Sequence, residues 1–214
     1  MRTLCVLTVV VAGGVMAEEP KAATFDFEAA KVGEVPKGWT VARTGTGEGS
    51  VWKVVEDKTA PKGPKVLAQT AESPAAMFNL CVADDARFVD VEVSVSFKAV
   101  EGKKDQGGGV VWRYADEKNY YVARFNPLED HFRLFKVVDG KRTQLATKEE
   151  IKVPAGEWHT LAIQMKGNEI LCLLDGKKLL DAKDDTFTKS GKVGLWTKAD
   201  AQTYFDDFRA KELK

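Results

Sequence analysis

Between positions 112 and 133 the chain concentrates aromatic residues and arginines on three consecutive predicted strands: Trp112, Arg113, Tyr114, Tyr120, Tyr121, Arg124 and Arg133. Aromatic rings offer flat apolar faces to the C–H surface of a sugar, and planar polar groups fix its hydroxyls. Strand alternation decides which of these residues share a face. If Tyr114 and Asn119 flank a turn made of Ala115-Asp116-Glu117-Lys118, Arg113 lies opposite Tyr120 and Trp112 opposite Tyr121. Val110, Trp112, Tyr121, Ala123 and Phe125 then form an apolar set, and Arg113, Tyr120 and Arg124 form the ligand face. A one-residue bulge would reverse that division. Trp112, Arg133 and His131 complete the candidate ligand set. His131 opens a strand directly after Glu129-Asp130, a setting for acid/base or metal chemistry or for a solvated strand end. The other histidine, His159, alternates with Leu161, Ile163 and Met165 and reads as a core or core-edge residue.

Other chemistries lack their residues. The best strand carboxylates, Asp90 and Glu92, share a polar face, but Ser94 and Ser96 follow them, so no run of paired carboxylates is formed. No serine stands in a nucleophile-elbow setting. The glycine-rich GTGEGS at 45–50 lacks the Lys-Ser/Thr ending and the helix of a phosphate loop. There is no C-x-x-C or Cys/His cluster for structural zinc, and these residues require no cofactor. Cys81 and Cys172 fall in two predicted strands, where they either pair or stay as buried thiols.

The elements that must position these side chains are strands. In FVDVEVSVSFKA, residues 88–99, Val89, Val91, Val93, Val95 and Phe97 alternate with Asp90, Glu92, Ser94, Ser96 and Lys98. That is period two, with one apolar and one wet face, and β-branching further disfavours a helix. Similar segments stand at 51–55, 65–69, 75–82, 109–114, 119–125, 131–138, 158–165, 169–174, 192–197 and 203–210. Asp139-Gly140 and Asp175-Gly176 are hairpin turns, and Gly167-Asn168 separates two more strands. Single helical turns are expected at most at Lys148 to Ile151 and at Asp184 to Lys189. Many short strands with frequent turns indicate an all-β sandwich or barrel without an internal domain boundary.

Residues 1–17, MRTLCVLTVVVAGGVMA, have the layout of a secretory signal peptide: a positive start at Arg2, a short apolar stretch, and small residues at Val15 and Ala17 before the cut. Residues 18–214 are then the folded domain, which is secreted, periplasmic or held in the cell envelope, and no later stretch is long and apolar enough to span a bilayer. The 214 residues carry 32 Lys+Arg against 32 Asp+Glu. Losing Arg2 with the 17-residue leader leaves 197 residues with 31 positive and 32 negative charges, a net of −1. That balance argues against nucleic acid as a partner and suits a neutral ligand such as a sugar.

Three stretches carry a family resemblance: FDFE at 25–28 with PKGW at 36–39; GGGVVWRYADEKNYYVARFNP at 107–127; and GEWHTLAIQMKGNEILCLLDGKKLLD at 156–181, closed by GKVGLWTKADAQTYFDDFRA at 191–210. Together they resemble the concanavalin A-like lectin/glucanase superfamily, and within it laminin-G-like domains and the bacterial 3-keto-disaccharide hydrolase domain. The resemblance implies a two-sheet antiparallel jelly-roll sandwich with a ligand across a concave sheet. It also implies a structural calcium on the convex side, for which Asp26 or Glu28 and Asp206 match by position. The Glu-x-Asp-x-x-Glu run of the superfamily's retaining glucanases is absent. Where the 3-keto-disaccharide hydrolase domain often shows Gly-Asn-Ser-Gly-Ile, this chain has Gly107-Gly108-Gly109-Val110-Val111. The first expectation is therefore a module that binds a glycan or glycoside. A glycoside-cleaving enzyme is the alternative, and a structural or protein-interaction domain is the third reading.

Overall fold

The computed structural model describes residues 21–214; the expected leader lies outside the described residues. Fifteen strands are formed: β1 (Ala22–Phe25), β2 (Trp39–Thr44), β3 (Trp52–Glu56), β4 (Lys65–Gln69), β5 (Phe78–Phe88), β6 (Val91–Glu101), β7 (Gly108–Asp116) and β8 (Asn119–Asn126), followed by β9 (His131–Val138), β10 (Lys141–Lys148), β11 (Trp158–Lys166), β12 (Glu169–Leu174), β13 (Lys177–Lys183), β14 (Gly191–Lys198) and β15 (Gln202–Glu212). They make two antiparallel sheets, the jelly-roll sandwich that the alternation demands. The back sheet runs β13-β12-β11-β6-β15-β4-β3, with β1 added on β15. The front sheet runs β10-β9-β8-β7-β14-β5-β2. The single helical turns expected at 148–151 and 184–189 are not formed: Lys148 ends β10 and 149–151 is loop, as is 184–189.

Period two builds the interior directly. Val91, Val93, Val95 and Phe97 of β6 are buried, and Glu92, Ser94, Ser96 and Lys98 remain partly exposed. Val89 falls in the turn before β6 and stays exposed. From the front sheet, Cys81, Val110, Trp112, Tyr121, Ala123 and Phe125 meet Leu161, Ile163, Met165, Cys172 and Phe205 of the back sheet in one apolar cluster. Trp112 stacks on Tyr121 at 5.5 Å and donates its indole N–H to Met165 Sδ at 3.0 Å. Cys81 and Cys172 are free thiols inside this core, and burial pushes both far above the usual thiol range.

The outer face of the front sheet carries a second apolar cluster that includes Leu80, Val111, Tyr114, Tyr120, Val122, Phe135, Val137 and Trp196. A flat sheet would hold β10 and β5 roughly 24 Å apart. Here the Arg142 guanidinium of β10 lies 5.0 Å from the Phe78 ring of β5. Thr44 of β2 donates to the Glu117 carbonyl at 2.5 Å and sits 2.7 Å from the Tyr120 hydroxyl, which therefore donates to it. The front sheet is thus curled until its two edges meet at one end. Its concave face is closed there by its own side chains and stays polar at the other end, around Arg124 and His131.

Candidate functional site

At that polar end β8 and β9 are in register, with Arg124 opposite Arg133 and Asn126 opposite His131. Alternation puts all four on the concave face, beyond Tyr120 and Val122. Gly109 of β7 makes the close approach possible: a Cβ there would fall 1.8 Å from the Ala123 carbonyl oxygen and 2.8 Å from Arg124 Cα. The glycine run at 107–109 therefore serves the packing of β7 on β8 beside Arg124.

Two carboxylates converge on Arg124. Asp105, in the β6–β7 loop, accepts from Arg124 Nη1 at 3.2 Å, Asn126 Nδ2 at 3.1 Å and Lys198 Nζ at 2.9 Å. Its loop is held by Asp200, whose carboxylate accepts the amides of Lys103, Lys104 and Asp105 at 3.0–3.1 Å. Glu129 accepts from Arg124 Nη2 at 3.3 Å and Asn126 Nδ2 at 3.1 Å. Asn126 also takes the amides of Leu128 and Glu129 on its Oδ1, so one amide side chain folds the β8–β9 turn and aims Glu129 inward. Burial raises the Glu129 carboxyl, but Arg124, His131 and Arg133 outweigh it and hold the group below the usual carboxylate range. His131 Nε2 lies 2.5 Å from Glu129 Oε2, yet neither ring nitrogen has an aligned hydrogen-bond partner. Burial first, then Arg124 and Arg133, lower the His131 pKa against the pull of Glu129, so the ring is neutral at neutral pH.

This end opens on a cleft of about 420 Å³ lined by Glu129, Asp130, His131, Arg133, Glu149, Glu150 and Lys152. A larger groove of about 520 Å³ runs along the open sandwich edge past Lys148–Val153 and Leu174–Leu179, but none of its lining residues carries an unpartnered buried polar atom. Among the described residues seven such side-chain atoms occur, and five stand on the concave face: Arg124 Nε, both His131 nitrogens, Arg142 Nη1 and Trp196 Nε1. Buried polar atoms are normally satisfied, so this concentration marks the place where a ligand would complete the structure.

The candidate ligand residues separate into three groups. Arg124, His131 and Arg133 are brought together at the open corner. Tyr120 shares the face but lies at the closed end, fully buried and bonded to Thr44, where no ligand reaches its ring. Trp112 and Arg113 are elsewhere. Trp112 is in the sandwich interior with Tyr121, as its place in the apolar set requires. Arg113 is the correction to the ligand face, because a bulge breaks the register between Trp112 and Asp116 with Arg113 at φ 45°. Its side chain turns to the end of the sandwich, donating to the carbonyls of Val89 (2.9 Å), Phe187 (2.6 Å) and Gly167 (2.7 Å) and to Asp90 (3.3 Å). The hairpin consequently closes through Glu117-Lys118 with Asp116 paired to Asn119, not through the four-residue turn. Asp105, Asn126, Lys198, Arg142 and Trp196 are the site residues that the sequence reading missed. Extending the alternation from Arg124 by two residues, and from Trp196 by two, would have found Asn126 and Lys198.

On the back-sheet side, Asp26 is exposed and its carboxylate accepts the Glu28 amide. Glu28 accepts the Lys65 amide at 2.8 Å, and the fully buried Asp206 accepts the amides of Lys62 and Asp207 at 2.9 and 2.6 Å. Burial, with Asp207 and Glu28 nearby, pushes the Asp206 pKa up. Among the described residues no group of three or more His, Cys, Asp or Glu side chains is gathered to hold a metal.

Fold and site define a concanavalin A-like jelly roll with a polar corner on its concave sheet. Residues 23–211 match the 3-keto-alpha-glucoside-1,2-lyase-like domain, and the chain belongs to that family. No curated protein sequence matches it. Among solved structures it is similar to the carbohydrate binding module CBM66 from Bacillus subtilis, with 19% identity, a TM-score of 0.65, and 82% of this chain and 96% of that one covered. Domain 4 of an extracellular GH43 arabinanase from Geobacillus stearothermophilus, solved with arabinotriose, is 14% identical at a TM-score of 0.57, covering 91% and 94% of the two chains. A Bacillus licheniformis beta-glucanase is 12% identical at 0.61, covering 90% and 98%. At these identities the likeness is one of fold.

Proposed function

We propose that this chain is an exported domain that binds a glycoside at the open corner of its concave sheet, with Arg124, Asn126, His131 and Arg133 as the contacting groups. The observation that carries this reading is the convergence of unpartnered buried polar atoms on that one face. A sugar hydroxyl both donates and accepts, so it can accept from Arg124 Nε and bond Nδ1 of His131, whose Nε2 faces Glu129. The family and the carbohydrate-handling neighbours support the ligand class. Titration calorimetry with α-linked glucosides tests it: Arg124→Ala is expected to abolish binding, and full affinity in that variant would refute the site.

A second reading is cleavage, favoured by one observation: a neutral imidazole beside an ionised carboxylate and a guanidinium, in a 1,2-lyase-like family. A ketone at C3 of a glucoside acidifies the C2 hydrogen. A base that removes it generates an enolate, whose electrons expel the glycosidic oxygen from C1; the proton taken by the base is returned to that oxygen, and the aglycone leaves as an alcohol. His131 has the protonation state for the base, and Arg124 the charge to stabilise the enolate oxygen. Release of aglycone from a 3-keto-α-glucoside by the wild type, lost in His131→Gln while ligand is still bound, is the expected result. Undiminished release in that variant would remove His131 from the chemistry.

A structural calcium belongs to the same proposal. Glu28 and Asp206, not the outward-turned Asp26, are the carboxylates that fit it, because Asp206 is a desolvated acid facing another carboxylate and hard oxygen donors suit the ion. Backbone carbonyls would supply the remaining ligands. Calcium is expected to raise the melting temperature of the wild type and leave Asp206→Asn unchanged; a chelator without effect on the wild type would remove the ion.

A further inference from the structure

The corner cleft and the edge groove share a wall: Glu149, Glu150 and Lys152 line both. These residues belong to the segment that leaves the front sheet after Lys148 and leads to β11 of the back sheet. Glu150 takes a left-handed φ of 61°, and the next amide, that of Ile151, bonds the Asp130 carbonyl at 2.9 Å, where Asp130 is itself left-handed at φ 53°. Such a backbone is costly for a non-glycine residue and persists where its surroundings hold it. The side chains of the segment divide accordingly. Glu149 pairs with Arg133 and Lys152 with Asp130, so the polar groups are held to the corner. Ile151 and Val153 instead pack against the sandwich core. They line the groove and not the cleft, together with Leu174 and Leu179 of the β12–β13 hairpin. The charged residues of the groove, Lys148, Asp175 and Lys177 among them, are exposed.

We infer that the edge groove seats the aglycone of the glycoside held at the corner, and that the aglycone it takes is an apolar, aryl one. This rests on the proposal that the open corner binds a glycoside. The common wall is the ground for one ligand in both places: a sugar in the cleft touches the same three residues that bound the groove. The contrast between the two linings sets the chemistry. The cleft is lined by His131, Arg133 and carboxylates, which suit hydroxyls, and by no apolar side chain. The groove adds four aliphatic side chains and none of its lining residues carries an unpartnered buried polar atom. A second sugar would set hydroxyls against those side chains without fixed partners, whereas an aromatic ring buries its faces on them. The groove volume of about 520 Å³ lies within the usual range of ligand pockets, roughly 300–1,000 Å³.

The test is calorimetric titration of the full chain with methyl α-D-glucoside, phenyl α-D-glucoside and maltose. The phenyl glucoside is expected to bind about tenfold or more tighter than the methyl one, in keeping with burial of one ring. Its heat-capacity change is expected to be the more negative, the mark of apolar surface leaving water. Maltose, which carries a second sugar in place of the ring, is expected to gain less than the phenyl glucoside. Leu179→Asn and Val153→Asn are each expected to bring the phenyl glucoside down toward the methyl one without changing the latter. Phenyl and methyl glucosides binding alike, maltose binding more tightly than the phenyl glucoside, or variants that leave the gain intact or weaken both glucosides equally, overturns the aglycone groove and leaves the corner reading intact. No binding of any of the three overturns both. Melting curves of the variants confirm that the measured loss is not a loss of folding.

Discussion

Arg113 and Arg124 leave the same β7–β8 hairpin, and both are almost completely buried, at 3% and 2% exposure. Their surroundings are opposite. Every nitrogen of Arg113 is used, mostly on backbone carbonyls of loops that close the end of the sandwich. Arg124 has its Nη atoms on carboxylates and its Nε on nothing. A saturated arginine is a fastener; an unsaturated one beside other orphaned donors is a binding group. The residue type is the same, so function is legible only in what each guanidinium lacks.

The largest expected effect breaks the fastener. Arg113→Ala orphans three carbonyls and leaves Asp90 only the Gly167 amide, and its cost in urea unfolding is expected at about 3–5 kcal/mol. Arg124→Ala should cost about 1–2 kcal/mol, because Asp105 keeps Lys198 and Asn126, while ligand affinity is lost. If the two variants were equally destabilised, the distinction between fastener and binding group would fail.

The next effect is in pH. The His131 pKa is lowered by folding, so the unfolded chain binds more protons between the lowered value and about 6.5. Its contribution to stability is present above that range and is lost as pH falls through it; His131→Gln should flatten this part of the profile. Asp184 acts lower. Burial raises its pKa, but bonds from Lys136, Tyr121 and Thr186 bring it to about 2. Its stabilisation is present above the usual carboxylate value near 3.8 and lost as pH falls toward 2. Asp184→Asn should remove that acid limb and leave the His131 limb unchanged.

The smallest effect is chemical. The core thiols of Cys81 and Cys172 should be silent to a thiol reagent in the native protein and both react in denaturant. A mass two protons lower, from an intact disulfide, would contradict the free-thiol core.

Much of this was readable before the structure. The alternation at 88–99 placed the core face of β6, and the pairing of Trp112 with Tyr121 was correct. The same alternation put Arg124 and Tyr120 on one face. It failed at Arg113 because the bulge needs a positive φ at an arginine, a local cost compensated by carbonyls of Val89, Gly167 and Phe187 that lie far away in sequence. It also could not show that the front sheet curls, which hides Tyr120 and isolates Arg142. Asp105, Lys198 and Arg142 come to the site from separate strands and loops, so no local spacing announces them.

The most direct test of the corner is a two-dimensional ¹H–¹⁵N spectrum that resolves arginine Nε–H signals during titration with an α-linked glucoside. The account predicts a saturable shift of Arg124 Nε–H and an unmoved Arg113 Nε–H. Saturable shifts confined to residues away from the concave face, or an Arg113 signal that moves while that of Arg124 does not, would contradict it.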